Sequence, residues 1–329
     1  MAILMKHYAN LHMHSTHSDG RYTPEELARI AKELGYGAIA LTDHDTVTGN
    51  APMKAECDRL GLECIYGAEF CARFGTTGHV LHTAAFHFDA EHPKIQELIS
   101  RMATRYAGIT MDLFDIAVKN GQIKGISWDE VLELNPGIRW LTGNHVFSAM
   151  KAKGLLSTDE EKIAFLQSCF GTENKKALPK KDRPGFINVE EYIPIIHEAG
   201  GIVLVAHPHN QLTDVKLLTE IGIDGLEVWH SELPAPERRE ALKLAMEHDL
   251  YVSGGDDHSG LLGGQYYRFE HPEETKYYFP ARTLGTTQYF FEEIRDMKKK
   301  PDRKEVMREL LENDELWQKT GGIIDDIQP

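Results

Sequence analysis

Short apolar runs alternate with amphipathic helical stretches from residue 8 to about residue 90, and again from about 185 to 260. That alternation marks an α/β fold. Seven runs have the length and composition of buried strands: Tyr8–His14, Ala38–Asp43, Glu63–Phe70, His79–Phe88, Ile202–His207, Gly225–His230 and Tyr251–Asp256. Seven strands of this kind suggest a barrel more than an open sheet. The helix starts are equally legible. Thr23-Pro24-Glu25-Glu26 offers an N-cap, a proline at the first helical position and acidic residues in the first turn. Leu27, Ile30, Ala31 and Leu34 follow as a helical stripe that Gly35 ends. Pro236 to His248 repeats the style.

Residues 93–183 break the alternation. Their spacing predicts helices over 93–120, 128–133, 144–154 and 158–170, and no strand. The expected organisation is therefore a barrel from 1–92 and 184–262, an inserted helical subdomain over 93–183, and a C-terminal extension over 263–329 packing on the barrel. The extension reads as a Tyr-rich stretch, then a loop and a surface helix.

Composition narrows the classes. A chain of 329 residues with 41% hydrophobic and 26% charged residues is ordinary for a soluble globular protein and long enough for a sizeable core. The net charge of −15 argues against long nucleic acid as a partner, because affinity for a phosphate backbone comes from clustered Lys and Arg. It leaves room for a small phosphorylated molecule, because bound cations invert the local field. The 4 cysteines, Cys57, Cys64, Cys71 and Cys169, form no CxxC pair. They read as reduced core thiols of a cytoplasmic protein. The first apolar run is too short for a secretory leader, and no stretch approaches the ~18 apolar residues of a membrane helix. Lys175–Arg183 is a dense basic run. It is either a solvated loop or a substrate-facing one, in which Lys180 and Arg183 would attract a phosphate.

The unusual feature is histidine, 17 in all, many beside Asp or Glu. His12 and His14 stand two apart in a strand and so share a face, a natural chelating pair. Asp19 follows on the loop. The second strand runs into Asp43-His44-Asp45, where His44 is the candidate ligand. Asp43 and Asp45 could orient imidazoles, or Asp45 could belong to a turn. Glu69 ends the third strand and could bridge two cations. His79 and His82 open the fourth, and only one of them can face the site. The fifth leads into His207, the sixth carries Glu227 and His230, and the seventh gives Asp256 and His258 at i and i+2. At least six of the seven predicted strands thus end in a His, Asp or Glu. In a barrel such ends meet at one mouth.

These residues resemble the PHP (polymerase and histidinol phosphatase) family. The likeness runs through His12-x-His14, Ser18-Asp19-Gly20, Thr42-Asp43-His44-Asp45, Glu69, His82, Ala206-His207-Pro208, Asp224-Gly225-Leu226-Glu227 and Asp256-x-His258, across roughly residues 8–262. It is nearest to a branch of nucleotide phosphatases and small-RNA exonucleases with a helical insertion. The resemblance implies a distorted seven-stranded (β/α) barrel of TIM type holding two to three divalent metal ions. By motif, His12, His14, Glu69 and Asp256 would hold one metal. Glu69, His82 and His207 would hold a second, and Asp19, His44 and His258 a third. His82 rather than His79 is then the ligand of the fourth strand. Two positions depart from the pattern: Gly143-Asn144-His145 stands where Arg-Pro-His is usual, and Gly255 stands for a Ser. The missing Arg removes an expected phosphate contact; His145 remains as a candidate substrate contact.

Nitrogen and carboxylate ligands suit Mn, Fe or Zn better than calcium. The expected chemistry is hydrolysis of a phosphate ester by metal-activated hydroxide, with His230 or His209 as a proton donor to the leaving oxygen. The substrate would be a nucleotide or metabolite phosphomonoester, with inorganic phosphate or a short oligonucleotide end as further ligands. Two alternatives are an amidohydrolase-type enzyme cleaving C–N or C–O bonds with the same metals, and a non-catalytic metal-binding domain. Trp140, Trp229, Tyr266 and Tyr267 either stack a base or pack in the protein.

Overall fold

The computed structural model describes residues 7–180, 185–230, 232–257 and 285–320, and all structural statements concern these. His258, Arg183, Tyr266 and Tyr267 lie outside them.

The strands are β1 (His7–Asn10), β2 (Ala38–Leu41), β3 (Glu63–Arg73), β4 (Val80–Phe86), β5 (Ile187–Asn188), β6 (Ile202–Val205), β7 (Gly225–His230), β8 (Tyr251–Gly255) and β9 (Thr286–Thr287). Each predicted run overlaps one of them, β1 starting one residue earlier and β3 running three residues further. Eight form a continuous sheet in the order β8-β7-β6-β4-β3-β2-β1-β9, with β5 attached to β3. The sheet curls until its ends meet: Leu11 N–H donates to Gly254 O at 3.2 Å, and Asp257 N–H donates to His12 O at 3.0 Å. The result is a nearly closed, distorted barrel as expected, with eight strands rather than seven because Thr286–Thr287 of the extension joins its edge.

Two details differ from the expectation. The first strand stops at Asn10, so His12 and His14 lie on an extended tail beyond it. The tail is held by Met13, whose carbonyl accepts from Thr42 N–H at 3.0 Å. The second difference is direction. β4 runs antiparallel to both β3 and β6, while β2–β3, β6–β7 and β7–β8 are parallel. The start of β4 therefore lies at the same mouth as the ends of its neighbours, which is why a histidine near its beginning can join theirs.

The strands bury both faces. Ala9, Leu11, Ala38, Ala40, Ile65, Ala84, Phe86, Ile202, Leu204 and Tyr251 form one inner cluster. Phe291 and Ile294 of the helix Gln288–Arg295 join it, so this part of the tail is core rather than surface. Outside the sheet, Ile39 and Leu41 pack on the helices Pro24–Glu33 and Asn50–Leu60. Val203, Val205, Leu226, Val228 and Val252 pack on an outer cluster with Ile95, Leu98, Tyr192 and Leu242. Small alanines inside and branched residues outside suit a narrow barrel wrapped by helices.

The long helix Pro93–Lys119 leaves the barrel. Its first turns join the outer cluster through Ile95, Leu98, Ile99 and Met102. Its last turns join a separate core with Leu113, Phe114, Val131, Val146, Phe147, Phe165 and Phe170. The helices around that core are Trp128–Glu133, Gly143–Ala152, Asp159–Phe170 and Thr172–Lys176, and the first three begin with capping boxes at Ser127, Thr142 and Thr158. No described helix is long and apolar enough to cross a membrane.

Candidate metal centre

The inner face of each strand sets up the site through its period of two. Ala38 and Ala40 point inward, which carries His44 inward beyond them; Ile65 does the same for Glu69, and Ala84 and Phe86 for His82. Leu226 and Val228 face outward, so Glu227 between them faces in. Tyr251 faces in and Val252 out, so the inward residue past the end of β8 is Asp257.

Glu69 is the hub and is fully buried. Its Oε1 lies 3.4 Å from His12 Nε2, 3.1 Å from His82 Nδ1 and 3.2 Å from His207 Nε2. Its Oε2 lies 3.3 Å from His14 Nε2 and 3.0 Å from His44 Nδ1. Asp19 Oδ1 stands 3.8 Å from His14 Nδ1 and 4.0 Å from His44 Nε2. Asp257 Oδ1 stands 2.8 Å from His14 Nε2 and 3.6 Å from His12 Nε2. Donor atoms within 4.8 Å of one another form overlapping groups: His12, His14, Glu69 and Asp257; His44, Glu69 and His82; and His14, Asp19 and His44.

These residues fit divalent cations. His12 Nε2, both ring nitrogens of His14 and Glu69 Oε2 are buried and make no hydrogen bond within the protein. Each such group costs roughly 1–3 kcal/mol if left unsatisfied, and the overlapping donor groups in which these four atoms stand can hold cations on either side of His14. The charge balance agrees. Burial pushes the His12 imidazole down, but the Glu227, Glu69 and Asp257 carboxylates outweigh it and hold His12 well above the usual range. His14 and His82 are likewise raised against burial, by Asp257 and Glu69 and by Glu69 respectively. Burial pushes Glu69 up, yet His82, His12 and His44 hold it well below the usual carboxylate range. The carboxylates demand positive charge, which protons or metal ions can supply.

A PHP domain model matches residues 10–175. The chain belongs to the PHP domain family. It is 28% identical over 257 residues to the 5'-3' exoribonuclease Rnm of Escherichia coli (strain K12), covering 75% of this chain and 84% of that one. It is 25% identical over 276 residues to the 3',5'-nucleoside bisphosphate phosphatase of Chromobacterium violaceum, covering 78% and 89%. A crystal structure from Bifidobacterium adolescentis, assigned as a metal-dependent phosphoesterase, superposes with a TM-score of 0.65 at 25% identity, covering 89% of this chain and 97% of that one. At the level of the PHP family, the expectation of a metal-dependent hydrolase of phosphate esters is met.

Within this PHP barrel, His12, His14, Asp19, His44, Glu69, His82 and His207 are brought together. His79 is not: it pairs with Asp214 at 2.6 Å and is half exposed. At the last strand, Asp256 accepts a hydrogen bond from Asn10 Nδ2 at 2.8 Å, and its neighbour Asp257 stands in the cluster. The resemblance implied Asp256; the inward alternation of the strand presents Asp257 as well.

Asp45 lies in a turn, one of its two expected roles, with φ at +48°. Asp43 accepts from Ser15 N–H at 2.7 Å and from the Ser15 and Ser18 hydroxyls at 2.6 Å, and so shapes the loop that carries Asp19. Asp45 accepts from Cys71 N–H and from Trp140 Nε1, each at 3.2 Å. Burial raises it to about 7. Trp140 itself stacks on His44 with ring centroids 5.3 Å apart, and Trp229 packs against Phe290 in the core, so both indoles are packed.

Glu227 is the residue whose role sequence reasoning missed. His12 Nδ1–H donates to its carboxylate at 3.1 Å, which leaves Nε2 directed at Glu69. Its Oε2 also accepts from His207 N–H at 2.8 Å. A buried acid in the middle of an otherwise apolar strand was the available signal. His230 is buried, and burial pushes it down to about 4 against the pull of Glu227. Its Nδ1 accepts from Glu232 N–H at 3.1 Å, so Nε2 carries the hydrogen of a neutral ring. In that tautomer Nε2 is a hydrogen-bond donor. His209 stands at the rim with its Nδ1 2.7 Å from Glu237, its ring 6.5 Å from that of His207.

The two departures from the family pattern have structural causes. A Cβ at Gly143 would meet Leu166 Cδ2 and Phe170 Cγ at 2.8 Å, so helix packing excludes the usual Arg. A Cβ at Gly255 would overlap the backbone of His12, so the barrel seam excludes the usual Ser. His145 is buried beside the Asp19 loop; its Nδ1 accepts from Thr142 N–H at 3.0 Å. Lys180 is exposed, outside any helix or strand.

Proposed function

We propose that this chain hydrolyses a phosphomonoester of a small molecule, a nucleotide or a phosphorylated metabolite. The single observation that carries this reading is the buried Glu69 carboxylate ringed by five imidazoles at 3.0–3.4 Å. In this reading His12, His14, Glu69 and Asp257 hold one divalent ion, Glu69, His82 and His207 another, and Asp19 and His44 a third. Such ions supply Lewis acidity that polarises the phosphoryl oxygens and activates water.

The protein's own groups do the rest. Glu227 fixes the His12 tautomer and so the direction of its free lone pair. Asp43 holds the loop that presents Asp19. Neutral His230 can donate a hydrogen bond to a phosphoryl oxygen from Nε2. His209, beside Glu237 at the rim, is the better-placed proton donor to the leaving oxygen. The names of the relatives support a nucleotide-like substrate, and the net charge of −15 disfavours long nucleic acid.

The test is elemental analysis of protein purified without chelator, followed by a panel of phosphate esters. Bound Mn, Fe or Zn with turnover of nucleotide or metabolite monoesters is the expected result. A metal-replete preparation inert on the whole panel sinks the reading.

A further inference from the structure

Trp140 lies in the insertion, between the helices Trp128–Glu133 and Gly143–Ala152, and is 5% exposed. Among the described residues it joins none of the apolar clusters of the barrel or of the insertion. Its loop is pinned by Thr110 of the long helix, whose hydroxyl donates to Leu141 O at 2.7 Å. The indole reaches instead to the barrel mouth. It stacks on His44 with ring centroids 5.3 Å and planes 28° apart, and its Nε1–H donates to Asp45 Oδ2 at 3.2 Å. Tyr106 of the long helix packs against the indole at 4.8 Å.

His44 is the candidate ligand with most need of such a neighbour. A hydrogen bond orients a ligating imidazole through the nitrogen that is not a ligand, as Glu227 does for His12. His44 has no nitrogen to spare. Its Nδ1 lies 3.0 Å from Glu69 Oε2 and its Nε2 lies 4.0 Å from Asp19 Oδ1, and the residue stands in two of the overlapping donor groups. What remains for orienting the ring is its faces. His14 stacks on it at 4.4 Å and 24°, and Trp140 at 5.3 Å and 28°; of these two, only Trp140 stands outside the ligand set.

Asp45 joins the indole to the rest of the centre. It follows His44 in the chain, accepts from the indole with one oxygen and from Cys71 N–H with the other, and donates its own N–H to Glu69 O at 2.8 Å. Indole, His44 turn and the strand carrying Glu69 are therefore one hydrogen-bonded unit.

We propose that Trp140 is a positioning residue for His44: its indole sets the plane of the imidazole, and so the direction of both ring nitrogens toward divalent ions. The insertion thereby completes the metal centre of the barrel. Indole has the strongest negative face of the aromatic side chains, so it attracts the imidazole more once a cation draws charge from that ring. This inference rests on the reading of His44 as a metal ligand.

The test compares wild type with Trp140→Leu, Trp140→Phe and, as a control, Trp128→Leu in the insertion core, where Trp128 packs on Phe114. Cobalt(II) is the probe ion. Its affinity is measured by competition with a chelator, and its visible absorption reports the coordination geometry. Trp140→Leu is expected to weaken the most loosely held ion roughly tenfold or more and to change the absorption. Trp140→Phe, which keeps a stacking ring without the N–H, is expected to restore most of both, and Trp128→Leu to leave both as in wild type. Unchanged affinity and absorption in Trp140→Leu overturn the proposal. So does a Trp140→Phe as weak as Trp140→Leu, because the hydrogen bond to Asp45 is then what matters, and so does an equal loss in Trp128→Leu. A further readout needs only the conservative variant: cobalt(II) is expected to quench tryptophan emission more in wild type than in Trp140→Phe, and equal quenching overturns the proposal. A wild type that binds no cobalt overturns the metal-centre reading and this proposal together, whereas the other failures leave the metal centre standing.

Discussion

The barrel mouth and the helical insertion solve opposite problems. In the insertion, helix starts and a buried amide are satisfied locally. Ser127, Thr142 and Thr158 cap their own helices, and Asn174 Nδ2 donates to Cys169 O at 2.9 Å. Apolar residues from Leu113 to Phe170 close a core of their own. At the mouth, imidazoles and carboxylates are packed with lone pairs facing one another and no hydrogen bond between several of them. The first arrangement calls for no added charge. The second gains stability when positive charge enters as protons or metal ions, so stability there is coupled to ligand.

Four changes break or sharpen that contrast. Glu69→Gln removes the hub. It is expected to cost roughly 10³-fold or more in kcat/KM together with bound metal, and full metal content by elemental analysis would refute the hub role. Phe114→Ala acts only on the insertion. It is expected to lower stability by about 3–5 kcal/mol, seen by denaturant unfolding and by hydrogen exchange in residues 113–170, with metal content unchanged. Loss of metal in that variant would mean that the two regions are one cooperative unit.

Glu227→Gln leaves every proposed ligand in place but weakens the orientation of His12. A fall of about 10–100-fold in metal affinity is expected, measured by competition with a chelator; no change would reduce Glu227 to a structural role. The smallest effect is in pH. In the metal-free protein, His12, His14 and His82 are held above the usual imidazole range. Their stabilising contribution is present below about 6.5, the unfolded value, and is lost as pH rises through the higher folded values. Metal replaces those protons, so the rise in Tm on adding Mn or Zn is expected to be larger at pH 8.5 than at pH 6. A difference in Tm independent of pH counts against proton–metal exchange.

Much of this was legible along the chain. Buried strands announce themselves by apolar runs, and each predicted run overlaps a strand. Helix starts at Thr23 and Ser127 are local chemistry and are legible as such. His12, His14, His44, Glu69, His82 and His207 stood out because charged groups at the ends of buried strands need partners. The choice of His82 over His79 came from resemblance, and the inward alternation set by Ala84 and Phe86 gives it a physical reason. That same rule, applied to Tyr251, presents Asp257 to the cluster.

Sequence alone therefore determined the periodicities, the caps and the inventory of ligand types, because these depend on neighbours within a few positions. Only tertiary structure decided the reversed direction of β4, the seam that β8 and β9 form with β1, and the role of Glu227 as the partner of His12. The same holds for the packing that leaves no room for a side chain at Gly143 or Gly255. Each of these is a contact between residues far apart in the chain. Its energy depends on which surfaces meet, and a local pattern carries no record of that.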